Sequence, residues 1–441
     1  MRRTGIAGAI MGFVALAAFA DATFAGEPVP PGGAPVTAIQ RLDQFRVAAR
    51  EARARSDWAA YRVAAGQMKE LLNDSPQSRL ELARAQVRAG DEAAALDEIV
   101  AYARMGQASE IVEKLPDFEP LRQKKAFEPV RASMIANRQP VARSTLAFHI
   151  RQPVLLPEDI DFDPSSKRFF LSSVLQRRIV STVGEGPLLQ FTRSPSNWPV
   201  LALKIDAQRQ VLWATEVAIE SFTSVAKPDR GRSALLCYDL KSGKLLRRIE
   251  GPRPSALGDL TLAADGTVFV SDGEHGAIYR LEPGKDALER LDGGDFISPQ
   301  TVVVARDGDQ LYVPDYVRGL GVLDLKTKQV RWLPTAGRFA LDGIDGLYRV
   351  GSQFIAIQNG TSPERVVRFS TDASVTRILA EQVIERATAT LGDPTHGVIV
   401  GDTFYYLANS GWDALEADGS VKSGVTMTDA VVMKWKMSAA P

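Results

Sequence analysis

Glu158, Asp159, Asp259, Gln300, Asp345 and His396 are spread over some 240 residues of the chain, yet each stands at one of two adjacent places in a repeated pattern. The pattern is an acidic or polar start, a short alternating strand, a polar turn and a second strand. It first occurs as LPEDIDFDPSSKRFFLSS from Leu156. It recurs as LALKIDAQRQVLWAT from Leu201, GDLTLAADGTVFVSD from Gly258, QTVVVARDGDQLYVPD from Gln300, DGLYRVGSQFIAIQN from Asp345 and HGVIVGDTFYYLANS from His396. The position of Glu158 reads Glu158, Leu201, Gly258, Gln300, Asp345 and His396 through the copies, and the next reads Asp159, Ala202, Asp259, Thr301, Gly346 and Gly397. Should the copies close into a ring, four carboxylates converge on its axis, where mutual repulsion and desolvation demand a compensating charge. A bound cation is the simplest one. Oxygen donors from Glu158, Gln300 and Asp345, with Asp159 or Asp259 in support and no cysteine at hand, suit a hard ion such as calcium. The competing reading has the aspartates capping strands or pairing with arginines, leaving Glu158 alone at the channel.

The elements that would position these residues are the blades of a six-bladed β-propeller. Repeat starts at 158, 201, 258, 300, 345 and 396 are spaced by roughly 42 to 57 residues, the length of a four-stranded blade. The last copy supplies three strands, the outermost being VVMKWK. Thr145 to Ile150 has strand character and is expected to complete that blade and close the ring, with His149 a structural strand residue. The ends of the second strands, Asp272, Asp315, Asn359 and Asn409, fall on the same face. Two long connections open there too, Glu220 to Arg232 and Ser410 to Thr428, bringing Phe222, Lys227, Arg230 and Trp412 within reach of a ligand. His275 falls in a hairpin turn and is expected to be exposed.

Residues 36 to 137 read differently, as Ala-, Leu-, Arg- and Glu-rich segments with apolar residues three and four apart. The run PQSRLELARAQVRAGDEAAALDEIVAYARMG resembles a tetratricopeptide repeat, with Leu80 and Ala83 on one helix, a turn at Ala89-Gly90-Asp91, and Ala94 and Leu96 on the next. A final helix is expected near Arg122 to Ile135. Such a stack either offers a surface to a protein partner or caps the neighbouring domain. The fold class is therefore α+β multidomain, a tetratricopeptide-like helical module followed by an all-β propeller at 144 to 437.

Arg2 and Arg3 precede an apolar run from Ile6 to Ala20 with small residues after it, which reads as a signal peptide of residues 1 to 25 and implies a periplasmic or secreted protein. Residues 26 to 35 are a Pro/Gly linker. No later stretch is long and apolar enough to span a bilayer. The 441 residues carry 53 Lys and Arg against 53 Asp and Glu, so nothing in the charge calls for nucleic acid or an anionic membrane. The single cysteine, Cys237, excludes an intramolecular disulfide. No phosphate-cradling glycine loop and no CxxCH motif is present.

From about Leu155 to Lys436 these residues resemble the gluconolactonase and regucalcin family and the related paraoxonases, six-bladed propellers that hold calcium or another divalent ion on the axis and hydrolyse lactones or esters. The family's metal glutamate falls on Glu158, the paraoxonase Glu-Asp pair on Glu158-Asp159, the late-blade aspartate on Asp345 in IDGLYRV, and the aspartate of an Asn-Asp segment on Asp259. Gly258 and Gln300 stand where the family has asparagines, and the paraoxonase histidine dyad has no counterpart. The resemblance implies a cation that polarises a lactone or ester carbonyl. His396, in DPTHGV, is the candidate base, with Asp159 or Asp259 as substitutes. The reading from a different class is a non-catalytic scaffold whose helical module binds a protein.

Overall fold

A computed structural model describes residues 36–437; the signal peptide and the linker read from the sequence lie outside them. Six antiparallel sheets follow one another around an axis. Blade I comprises Ile160–Asp163, Arg168–Ser173, Arg178–Thr182 and Leu189–Arg193, and blade II Val200–Asp206, Val211–Ala218, Arg232–Asp239 and Leu245–Glu250. Blade III comprises Leu257–Leu262, Val268–Asp272, Ala277–Leu281 and Glu289–Arg290, and blade IV Val303–Val304, Gln310–Asp315, Gly319–Asp324 and Val330–Trp332. Blade V comprises Ile344–Val350, Gln353–Gln358, Arg365–Thr371 and Ile378–Arg386, and blade VI Gly397–Val400, Thr403–Asn409 and Ala430–Lys436.

Thr145–Ile150 supplies the outer strand of blade VI, antiparallel to Ala430–Lys436. Joining the two ends of the propeller in one sheet removes the edges that an open ring would expose. Its alternation places Phe148 and Ile150 in the core and His149 half-buried beside Val431. A strand not apparent in the sequence, Val141–Ala142, adds a fifth strand to blade V. Bulky apolar residues of adjacent blades interlock between the sheets, as with Phe148, Phe169 and Leu407 between blades VI and I.

Ahead of the propeller run the helices α1 Ala38–Ala54, α2 Trp58–Leu71, α3 Pro76–Arg88 and α4 Glu92–Arg104. They are followed by the shorter α5 Glu110–Lys114, α6 Glu119–Arg122 and α7 Glu128–Asn137. Their starts follow local chemistry. Thr37 and Gln40 form a capping box on α1, Asp57 and Asp91 cap α2 and α4, and Pro76 opens α3, each satisfying or removing a donor that would otherwise lack a partner. The last helix begins at Glu128, six residues later than the periodicity suggests, because Pro129 is tolerated only in a first turn. Leu80 and Ala83 are buried as expected, and α4 returns Ala95, Ile99 and Tyr102 to the shared core with the partly buried Leu96 packed against it, while Ala94 is not part of that cluster. The region is helical; a succession of tetratricopeptide units is not evident from this one pair.

The helical layer packs on the propeller. Leu42, Tyr61 and Met68 share a core with Ile297 and Val317. Arg318 donates to the Leu71 carbonyl at 2.8 Å and Asn73 to that of Leu333 at 2.9 Å. Fully buried Arg365 bonds to Gln358 at 2.8 Å and reaches the Met105 carbonyl at 3.4 Å. Its contacts fall on the loops of blades III to V that surround the inner-strand starts, so α1 and α2 cap part of the face on which the ring residues lie. Among the described residues no helix is long and apolar enough to cross a membrane.

Candidate metal centre

The inner strands bring the starts of the repeats together. Glu158, Leu201, Gly258, Asp259, Gln300 and Asp345 all line one small void with Glu274 and Trp412. Bulges help to aim them. The register shifts between Val200 and Leu203, between Leu257 and Leu260, and between Ile344 and Gly346, which turns side chains that a regular pleat would send into the sheet. Second-strand hydroxyls then satisfy the backbone freed at the starts. Asp159 N donates to Ser172 Oγ at 2.9 Å, and Ala202 N to Thr215 Oγ1 at 3.0 Å.

One ligand-type atom each from Glu158, Asp345 and His396 lies within 4.8 Å of the other two. Gln300 spends its amide nitrogen on Ser298 O at 3.3 Å and Ser298 Oγ at 3.1 Å, which leaves the amide oxygen for the void. Asn359 Nδ2 donates to Asp345 Oδ2 at 2.8 Å, while Asn359 Oδ1 accepts from the Tyr316 hydroxyl at 2.9 Å, so Asp345 is oriented from behind. Burial and the neighbouring Asp345 carboxylate push Glu158 up to about 8, against the opposing charge of His396. Burial likewise pushes Asp345 up to about 7. Two acids that hold protons near neutrality are what a buried pair of carboxylates becomes when no cation compensates it. The donor set therefore fits a hard cation held by Glu158, Asp345 and Gln300.

His396 is 1% exposed and committed on both nitrogens. Nδ1 meets the Glu158 carbonyl at 3.0 Å, while Nε2 meets Thr301 Oγ1 and Asp259 Oδ1, each at 2.9 Å. Burial alone would lower its pKa, but Asp259 and Asp345 outweigh that and hold it well above the ordinary histidine range. An imidazolium so placed has no lone pair with which to accept a proton or bind a metal. Both nitrogens are thus engaged by Glu158, Thr301 and Asp259, while one of them also lies within 4.8 Å of ligand atoms of Glu158 and Asp345.

Asp159 does not face the void. Its carboxylate accepts from Lys204 Nζ at 2.6 Å, Leu203 N at 2.9 Å and Ile160 N at 2.8 Å, tying blade I to blade II. This saturation removes it from consideration as a base. Asp159→Asn is expected to lower stability by about 3 kcal/mol, the low end for breaking a buried ion pair, and to leave cation uptake unchanged; urea unfolding and calcium titration of the variant check both halves.

Asp272 and Asp315, expected around the mouth, instead hold the turns that follow their strands. Asp315 accepts from Ile297, Ser298, Val317 and Arg318 backbone nitrogens. Asp272 accepts from Ala256 and His275, and its hydrogen bond to the half-buried His275 ring raises the pKa of that histidine. Two residues that reach the void were not singled out as ring members. Glu274, pushed by burial up to about 7, lies two residues past a second-strand end. Trp412 donates its indole N–H to Glu158 Oε2. Phe222 and Trp412 share one apolar cluster with Leu156, Leu201 and Ile219, so the two long connections meet and seal the site. Lys227 is exposed and Arg230 bonds to the Phe222 carbonyl at 3.3 Å; neither lines the void.

The sealed void measures about 20 Å³, room for an ion or a single water. A far larger funnel of about 860 Å³ opens elsewhere along the inner strands, lined by Asp161, Lys204, Thr301, Arg306, Tyr348 and Gly397 among others. Thr301 belongs to both regions, since it lines the funnel and bonds to His396.

No protein-family model matches the chain, and no curated protein is similar to it in sequence. Among solved structures, a PQQ-bound aldose sugar dehydrogenase from Streptomyces coelicolor is 13% identical, with 67% of this chain and 99% of that one covered and a TM-score of 0.46. A streptogramin B lyase is 11% identical, with 65% and 96% covered and a TM-score of 0.42. Virginiamycin B lyase from Staphylococcus aureus is 13% identical, with 68% and 100% covered and a TM-score of 0.42. Similarity at this level does not extend to chemistry.

Proposed function

We propose that this chain is an exported, cation-dependent hydrolase of lactones or esters that works at the axial centre once the Trp412 lid is displaced. The observation that carries the reading is the convergence of Glu158, Gln300 and Asp345 on one buried void, with Glu158 and Asp345 holding protons near neutrality. A cation held by these three, most simply calcium, would polarise the substrate carbonyl and offset the charge that develops on its oxygen. Asp259 is assigned as the base: its Oδ1 is engaged by His396 at 2.9 Å, and the second oxygen remains for the void it lines. It takes a proton from the attacking water and returns it to the departing alkoxide, so that a lactone yields a hydroxy acid. His396 is the positioning residue behind it, holding a positive charge between Asp259 and Asp345 and fixed by Thr301 and the Glu158 carbonyl. Export rests on the N-terminal residues 1 to 25.

The void is too small for a lactone ring, so the lid must move. Trp412→Ala is expected to remove the indole bond to Glu158 and raise kcat/KM for aliphatic lactones about ten-fold or more, with the gain mainly in KM, because one buried hydrogen bond to a charged group is worth roughly 1.5–3 kcal/mol. Hydrolysis of a lactone and aryl ester panel, with calcium and after chelation, tests the proposal itself. Activity that appears with calcium and is lost in Glu158→Gln supports it; no turnover in wild type or Trp412→Ala, with or without calcium, zinc or manganese, rejects it.

The sealed void and the packing of α1 and α2 on the same face favour a second reading, in which the ion is structural and the molecule is a periplasmic scaffold. Under it, calcium raises the melting temperature but Trp412→Ala confers no turnover, and a protein partner would be sought on the outer face of the helices.

A further inference from the structure

Neither the proposed reaction nor the lid uses the large funnel, although every blade contributes to it. Asp161, Lys204, Thr261, Val303, Arg349 and Val398 line it from blades I to VI in turn. Leu262, Val304 and Ile399, at or near the ends of their inner strands, line it as well. It therefore opens on the face opposite the Trp412 lid, and its floor lies at Thr301, which bonds to His396. A volume of about 860 Å³ accommodates a whole small molecule, whereas the axial void has room for one ion.

The hydrogen-bond capacity left over in this lining is mostly that of donors. Burial opposes the charge of Lys204, but Asp159 and Asp161 outweigh it. Two of its three N–H groups go to Asp159 at 2.6 Å and the Leu203 carbonyl at 2.9 Å, and one remains. Tyr348 accepts from Gly397 N at 2.6 Å; burial keeps its own proton in place, and that proton has no acceptor among the described residues. The hydroxyls of Thr261, Ser352 and Thr371 are likewise unengaged among the described residues. Of the two acids, Asp372 is held by Thr376 and Arg377 of its own turn. Asp161 accepts from Phe162 N at 2.8 Å and Ile205 N at 2.7 Å, which leaves each carboxylate oxygen able to accept once more.

Charge is divided along the funnel. At the floor, Asp159 and Asp161 outnumber Lys204 by one, which turns an anion away. At the outer end, on blades IV and V, Arg306 is exposed and without a partner among the described residues. Arg349 spends Nε on the Gly351 carbonyl at 3.0 Å and rests on the Tyr312 ring, 5.2 Å from its centroid, with its terminal nitrogens unengaged among the described residues. A fitting ligand carries a carboxylate at one end, for the arginine forks, and at the other several oxygens that both donate and accept. We propose that the funnel is a binding site for an acidic sugar of the uronic-acid class, its carboxylate paired with Arg306 and Arg349 and its hydroxyls bonded to Lys204, Tyr348 and Asp161. The site requires neither an ion at the axial centre nor hydrolysis there, so failure of either reading leaves the other standing.

Glucuronate would be titrated by calorimetry into the full chain at low salt, as wild type, Arg306→Gln, Arg349→Gln, Tyr348→Phe and the double variant Glu158→Gln/Asp345→Asn, with glucose and hexanoate as comparison ligands. Wild type and the double variant should bind one equivalent of glucuronate with equal affinity. Each arginine substitution should weaken it about ten-fold, the worth of one charge-assisted hydrogen bond. Glucose, which lacks the carboxylate, and hexanoate, which lacks the hydroxyls, should each bind about ten-fold or more weakly than glucuronate. Arg306→Gln should not alter glucose binding, and Tyr348→Phe should weaken glucuronate without altering hexanoate. Since Arg306 is exposed, its variant keeps the comparison valid even where Arg349→Gln, which loses a ring contact, does not fold. No glucuronate binding to wild type up to about 10 mM would overturn the site, as would unchanged affinity in Arg306→Gln or glucose binding as tightly as glucuronate. Loss of glucuronate binding in the double variant would put the ligand at the axial centre and equally overturn it.

Discussion

Chelated protein is expected to lose stability as pH rises from about 5 to about 8, and calcium to reverse the loss. Glu158 and Asp345 sit at about 8 and about 7 in the folded chain, against about 4.3 and 3.9 when unfolded. Between those values the native state binds protons that the unfolded state has released, so the slope of unfolding free energy with pH is negative. The contribution is complete below the unfolded pKa values and disappears as pH passes through the folded ones. A cation at Glu158, Gln300 and Asp345 replaces the protons, and its stabilisation grows over the same window. The melting temperature of chelated protein should fall across this range by several degrees, at about 2–4 °C for each kcal/mol in a domain of this size. Excess calcium should flatten the profile. Glu158→Gln and Asp345→Asn should each melt higher than chelated wild type at pH 8 and respond less to calcium. A wild-type profile that is flat or rises from pH 5 to 8 without calcium would refute the protonated-pair account.

His396→Ala is the substitution expected to cost most, about 3–5 kcal/mol, because it leaves the buried Asp259 carboxylate without its counter-charge. The same variant separates the roles open to this histidine. As the positive member of an Asp259–His396–Asp345 cluster, it repels an incoming cation, and its removal should tighten calcium binding while it destabilises the chelated protein. As a ligand, its removal would weaken calcium binding; as a free base, it would leave binding and stability nearly unchanged. His396→Gln, which can still bond to Thr301 and the Glu158 carbonyl, should recover part of the stability and none of the charge effect. Thermal unfolding and calcium titration of the two variants distinguish these cases.

The repeat starts were legible in the sequence because a propeller converts equal positions in a repeat into neighbours around an axis. Glu158, Gln300 and Asp345 are assembled from three blades by that rule alone, and the closure of blade VI by Thr145–Ile150 follows from counting strands. What the rule leaves open is where each side chain points. Asp159 and Asp259 hold the same repeat position, yet Asp159 is taken by Lys204 and two backbone amides while Asp259 meets His396. That difference arises from which residue the next blade presents. Asp272 and Asp315 look like mouth residues in one dimension and are consumed by their own turns.

Local chemistry therefore determined the main helices, the strands of the six blades, the six-fold repetition and the ring of donors, since alternation, caps and turn residues act within a few residues of one another. The tertiary structure decided what covers the ring and which charges surround His396. Both depend on segments far apart in the chain: Trp412 reaching Glu158, Phe222 packing with Trp412, and α1 and α2 lying on the loops of blades III to V. Burial is a property of what covers a residue, and a pKa is set by which charges share that cover; neither is written at the residue's own position in the sequence.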